Sequence, residues 1–147
     1  MIIIQDTREK EPWSLSESQI VQTLETGDYT LHDFPFLIII DRKKSPSELA
    51  NNLGKNINRF KNELERMQDF EYRYVLCEFS YDEMLKFPHN AKIPKKLKRR
   101  IRMKGRYMGK IISELMDEFD VNFIFCDSRY DAETKALELF EEVINAC

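Results

Sequence analysis

Gly27-Asp28-Tyr29-Thr30-Leu31 and, after four residues, Phe36-Leu37-Ile38-Ile39-Ile40-Asp41-Arg42-Lys43 form the stretch that decides the fold. Phe36 to Ile40 is an unbroken apolar run that reads as a buried strand. Tyr29 to Leu31 reads as the strand before it, with His32-Asp33-Phe34-Pro35 as the turn between them. Folded as a hairpin, the segment brings Asp28 back towards Asp41, although twelve residues separate them. Successive strand side chains face opposite ways, so Asp41 and Lys43 emerge on one side and Arg42 on the other. Two carboxylates and an ammonium then converge where an apolar strand reaches the surface. Such a group suits a hard divalent cation, Mg²⁺ or Mn²⁺, beside a lysine that orients or deprotonates water. The chemistry it implies is metal-assisted phosphodiester hydrolysis.

Working outward, 147 residues predict a single domain, 1–147, able to bury a proper core. With 42% hydrophobic and 33% charged residues, the composition is globular and not disordered. Met1-Ile2-Ile3-Ile4 runs straight into Gln5-Asp6, so no signal peptide is expected. Apolar runs stay far short of the roughly 20 residues that span a bilayer, so no membrane partner is expected. Cys77, Cys126 and Cys147 are odd in number and lack any CxxC spacing. They predict reduced thiols, no structural zinc and an intracellular setting, cytoplasmic or nuclear.

The net charge of −3 conceals a segregation. From Lys92 to Lys110 there are ten Lys or Arg residues and no acid, leaving 13 basic against 26 acidic residues elsewhere. The local run, more than the overall pI, points to a nucleic-acid partner. Lys96, Arg99, Arg100, Arg102 and Lys104 suit phosphates, and Tyr107 suits stacking on an exposed base.

Other elements follow from period and punctuation. Ile2 to Gln5 reads as a strand and Ser16 to Leu24 as a helix or turn region. Ser45, Pro46 and Glu48 make a capping box opening a helix whose apolar stripe runs Leu49, Leu53, Ile57, Phe60, Leu64, Met67, interrupted only by Gly54. Lys44 lies near this helix; Lys55 and Arg59, four apart, share its outer face and suit a duplex backbone. Tyr72 to Phe79 and Val121 to Cys126 read as strands, with a short helix at Asp82 to Phe87. Met108–Phe119 and Ala132–Ala146 read as helices. The order implies an α/β layer sandwich with a central mixed β-sheet flanked by helices. No Ser-His-Asp set, glycine-rich phosphate loop or Walker motif appears, so nucleotide hydrolysis is not expected.

Asp6-Thr7-Arg8-Glu9, Gly27-Asp28, Asp41-Arg42-Lys43, Arg59-Phe60 and Glu63-Leu64, in this order, resemble the XPF-type structure-specific endonuclease domain, a branch of the PD-(D/E)xK nucleases. The resemblance covers roughly residues 2 to 146. It implies a restriction-endonuclease-like fold, branched or flapped DNA as substrate, and 5′-phosphate and 3′-hydroxyl product ends. It also implies a homodimer built on the last two helices. Asp28 and Asp41 become metal ligands with the Arg42 carbonyl as a third, and Lys43 assists the attacking water. One or both of Asp6 and Glu9 complete the acidic pocket, while Arg8 binds a phosphate or locks Glu9. Two positions depart from the pattern. Asp41 replaces the more usual glutamate, and Ser47 occupies the place of a later acid, with Glu48 one residue beyond. Glu48 therefore reads both as a candidate site acid and as a helix cap. The plainer alternative for Asp41 is a salt bridge to a basic neighbour. The alternative for the whole chain is a catalytically inactive DNA-binding or scaffold subunit; a nuclease acting on RNA or single strands is a third.

Overall fold

The hairpin forms, and the sheet grows from both of its sides. The computed structural model describes all 147 residues. Its strands are β1 (Ile3–Asp6), β2 (Ile20–Gln22), β3 (Tyr29–Leu31), β4 (Ile38–Lys43), β5 (Tyr72–Cys77) and β6 (Asn122–Phe125), in the order β2-β1-β3-β4-β5-β6. β3 runs antiparallel to both β1 and β4, while β1–β2, β4–β5 and β5–β6 are parallel, so the sheet is mixed. Tyr29 pairs with Ile40, which leaves Asp41 to Lys43 beyond the end of β3 and flanked only by β5.

Strand alternation divides the core. Ile39, Val75 and Cys77 face one side, against α1 (Pro46–Leu53), α2 (Ile57–Arg66), α3 (Tyr81–Leu85) and α5 (Gly105–Phe119). Ile38, Ile40 and Leu76 face the other, against Trp13, Leu15 and α6 (Arg129–Asn145). The short α4 (Lys95–Lys98) lies in the basic segment with no buried residue. The expected α/β sandwich is present. No helix is long and apolar enough to cross a membrane.

Three expectations change. Ser16 to Leu24 is not helical: it holds edge strand β2, pairing Ile20 with Ile4. All three β2 residues are exposed, so the strand rests on backbone pairing, and Ile20-Val21 is too short an apolar run to mark it. The long helix breaks at Gly54, whose N–H closes on Ala50 O before α2 starts at Ile57. Gly and Asn are weak helix formers, and Asn51, Asn52, Gly54 and Asn56 cluster at this elbow. Lys55 consequently lies in the elbow and shares no helix face with Arg59. Phe36, included in the apolar run, lies outside β4 with φ +61° and 60% exposure. The last two helices, α5 and α6, occupy opposite faces of the sheet, and their apolar stripes pack on the core.

α5 also begins earlier than expected, at Gly105. A Cβ there would collide with the Met84 and Leu85 carbonyl oxygens, which are backbone and do not yield. Gly105→Ala is expected to cost about 1–3 kcal/mol, the usual range for overpacking. Urea unfolding checks this; an unchanged midpoint would mean that α3 and α5 are free to separate.

Candidate active site

A hollow of about 430 Å³ opens at the end of β4 where β3 has stopped. One apolar residue, Phe60, is among the 19 that line it. Asp28 enters from the turn before β3, Asp41 and Lys43 from β4, and Glu48 and Glu63 from α1 and α2. Gly27 makes the entry possible. It holds φ +71°, and an added Cβ would stand 2.5 Å from Ile39 Cγ1. The Asp28 N–H donates to Ile40 O at 2.8 Å, and the Arg42 N–H donates to Asp28 Oδ2 at 2.7 Å. These bonds fix Asp28 against β4. N–H and C=O of one strand residue point the same way, so the Arg42 carbonyl also faces the vacant β3 side.

The electrostatics are strained. Burial pushes the Asp28 carboxyl well above the usual carboxylate range, and the charge of Asp41 adds to the push. Asp41 is 8% exposed and has Lys43 Nζ 3.0 Å from Oδ2, so the ion pair of the plainer alternative is present. That contact lies off hydrogen-bond geometry, and Asp41 Oδ2 has no hydrogen bond of its own. Burial alone would lower the Lys43 pKa, but Asp41 outweighs it and keeps the ammonium charged, 5.0 Å above the Phe60 ring. Glu48 and Glu63 are also pushed up, each first by burial; for Glu63 the next cause is the charge of Asp41.

Arg42 projects to the opposite face, as alternation requires, and is locked there. Its Nε donates to Glu78 Oε2 at 2.8 Å and its Nη1 to Glu11 O at 2.8 Å. The guanidinium lies 4.8 Å from the Trp13 ring, and Trp13 Nε1 donates to the same Glu78 oxygen at 2.7 Å. Glu9 approaches this group, with Oε1 3.6 Å from Arg42 Nη1 and Oε2 3.9 Å from Lys44 Nζ.

Arg8 does not lock Glu9. Its Nε donates to Asp6 Oδ2 at 2.7 Å, and Leu24 N–H donates to Asp6 Oδ1 at 2.9 Å. Burial tends to raise the Asp6 pKa, but these hydrogen bonds prevail and lower it. With both oxygens engaged, Asp6 ties the loop after β1 to Leu24. Glu48 completes the capping box in altered form. Its N–H donates to Ser45 Oγ at 3.2 Å, while its Oε1 accepts from Lys44 N at 3.3 Å. Lys44 and Arg59 stand at the rim of the hollow. Lys55, Lys96, Arg99, Arg100, Arg102, Lys104 and Tyr107 do not line it.

Glu63, Asn52 and Asn56 line the hollow but escaped the sequence reading as site residues. Glu63 had a legible signal: it falls three residues after Phe60 and four before Met67, a carboxylate on the buried stripe. Asn52 Oδ1 is buried without a hydrogen-bond partner.

The donor set fits a hard cation. Asp28 and Asp41 side chains with the Arg42 carbonyl are all oxygen, and a cation relieves both the lone Asp41 oxygen and the displaced Asp28. No group of three or more His, Cys, Asp or Glu side chains has metal-binding geometry. Two carboxylates with water and substrate oxygens filling the remaining positions is the habit of Mg²⁺.

A mixed sheet with these helical layers defines the class: the fold is that of the XPF nuclease domain. XPF from Aeropyrum pernix matches with TM-score 0.67 at 19% identity, over 95% of this chain and 63% of that one. XPF from Aeropyrum pernix in complex with DNA matches with TM-score 0.61 at 18% identity, over 97% and 62%. The chain thus spans less than two thirds of those solved chains. The family model of the ERCC4 domain matches residues 5–134, and the chain belongs to that family. No curated protein matches it in sequence.

Two measurements test this geometry. Glu78→Ala removes the hydrogen-bonded carboxylate from a buried guanidinium, leaving only the more distant Glu9, and is expected to cost about 3–5 kcal/mol in urea unfolding. A loss under about 1 kcal/mol would place Arg42 among solvated pairs. Asp28, raised in the folded state, contributes stability that is whole below its unfolded value near pH 4 and is lost as pH climbs through the folded value. In chelator, therefore, wild type should lose stability relative to Asp28→Asn as pH rises from about 4 to 8. Parallel curves would show that Asp28 titrates normally.

Proposed function

We propose that this domain is a metal-dependent DNA endonuclease that hydrolyses phosphodiesters in branched or flapped DNA, leaving 5′-phosphate and 3′-hydroxyl ends. The observation that carries the reading is the juxtaposition of Asp28, Asp41 and Lys43 in one hollow at the end of β4. Membership of the ERCC4 domain family and the likeness to a protein solved with DNA support it.

In this reading Asp28, Asp41 and the Arg42 carbonyl hold Mg²⁺ or Mn²⁺, which when bound supplies Lewis acidity to the scissile phosphoryl group. Lys43 contributes fixed positive charge. It orients or activates water and offsets the negative charge gathering on the pentacovalent phosphorus. Glu9 and Glu48 shape the acidic wall, and Asp6 holds the loop that carries Arg8 and Glu9. Arg8, Lys44 and Arg59 form a cationic rim for phosphates on either side of the cut, and Lys55 in the elbow lies beyond it. The basic run with Lys96, Arg99, Arg100, Arg102, Lys104 and Tyr107 extends this contact.

The proposed assembly is a homodimer. α5 and α6 flank the β6 edge from opposite faces, and exposed Tyr81 packs 5.2 Å from Phe125 of that strand. A second protomer seated there would cover the unpaired edge of β6.

The rival is a non-cleaving DNA-binding or scaffold subunit, in which the Asp41–Lys43 ion pair, with Nζ 3.0 Å from Oδ2, offsets the carboxylate without a cation. Purified protein incubated with fork, flap, duplex, single-stranded DNA and RNA, with Mg²⁺, Mn²⁺ or EDTA, separates these readings. Cutting should require the cation, and Asp41→Ala should lose about 10³-fold in rate while still binding DNA. Native protein that binds without metal-dependent cutting would establish the rival instead. If about five cations contact phosphates, log K should fall against log salt with a slope of about −4 to −5. A flat titration would remove nucleic acid as partner.

A further inference from the structure

The cations of the basic run are not spread evenly over a solvated face. Lys95, Lys98, Arg99 and Lys104 converge with His89 around a concavity of about 440 Å³ that no other residue lines. No Asp or Glu occurs between Glu83 and Glu114, and none of these four cations takes part in an ion pair within the chain. Lys98 is half-buried, its Nζ held 2.8 Å from His89 O, so one wall of the concavity is preorganised. Four like charges gathered without a counter-ion repel one another, and an anion is what removes that cost.

The concavity is joined to the active site by two adjacent residues. Lys104 lines it, while the Met103 methyl packs against Gly54, 3.2 Å from where a Cβ would stand. Gly54 is the α1–α2 elbow, whose neighbours Asn52 and Asn56 line the carboxylate hollow. A polyanion seated in the concavity therefore lies alongside the elbow and outside the catalytic hollow.

We infer that His89, Lys95, Lys98, Arg99 and Lys104 form a phosphate socket that grips the sugar–phosphate backbone of a DNA segment away from the scissile bond. This rests on DNA being the partner and specifies where the uncut portion is held. Lys95 and Lys98 belong to the basic run without standing out in it, and His89 lies outside that run. The socket's role is positioning: it raises affinity and leaves the chemistry to Asp28, Asp41 and Lys43.

The test uses the full chain carrying Lys98→Ala with Arg99→Ala, compared with wild type and with Lys135→Ala on α6 as a control. Thermal melting verifies folding, and Lys98→Gln with Arg99→Gln serves as a second variant should the alanine pair melt early. Binding of labelled fork DNA is titrated against salt, and cleavage is followed at saturating and limiting substrate. Removing two phosphate contacts should flatten the salt slope by about 1.8, raise KM at least tenfold and leave kcat within about twofold. Lys135→Ala should change none of these. An unchanged salt slope and KM in both double variants overturns the socket, as does a fall in kcat alone. If wild type binds DNA without cutting, the flattened slope still supports the socket while the nuclease reading fails. If wild type binds no DNA, the socket fails too.

Discussion

Arg42, clamped between Trp13 and Glu78, is the constraint on which the site depends. Beyond Ile40 the strand β4 has lost its partner β3 and is paired only with β5. An extended segment held along one edge would be free to twist about that edge. Arg42 prevents this, because its buried guanidinium is fixed on the reverse face by a carboxylate, a carbonyl and an indole. Asp41 and Lys43, its immediate neighbours, are thereby aimed into the opposite hollow. The residue that faces away from the hollow sets the direction of those that face it.

The hollow itself holds charge under tension. Asp28 and Asp41 share a poorly hydrated space, Lys43 answers only part of their field, and Glu48 and Glu63 are displaced upwards with them. Such an arrangement is costly for an empty protein and favourable for one that binds a cation and a phosphodiester. The surrounding loops are tied down by ordinary means. Asp6 anchors Arg8 and Leu24, and Thr26 Oγ1 donates to Glu63 O at 2.9 Å, joining the turn before β3 to α2.

Much of this was legible one residue at a time. The apolar run before Asp41 marked the central strand, and a period of two assigned Asp41 and Lys43 to one face and Arg42 to the other. The Ser45–Glu48 box marked the start of α1. What was illegible shares a cause. β2 is an exposed edge strand defined by hydrogen bonds to β1, and such bonds leave no trace in hydropathy. The partner of Arg8 depended on the route of the loop, which brought Asp6 closer than Glu9. Glu78 stands 36 residues from Arg42, and no local pattern pairs them.

From the chain alone came the order of elements, the alternation along β4, the hairpin that returns Asp28 to Asp41, and the isolation of the basic run from the acids. All are local properties, set by backbone period, turn chemistry and residue type. Tertiary structure alone decided that the long helix bends at Gly54, that Asn52 turns into the hollow, and that the basic segment folds a concavity beside the elbow. Those outcomes depend on which surfaces meet when the layers pack, and packing is settled by contacts between residues distant in sequence.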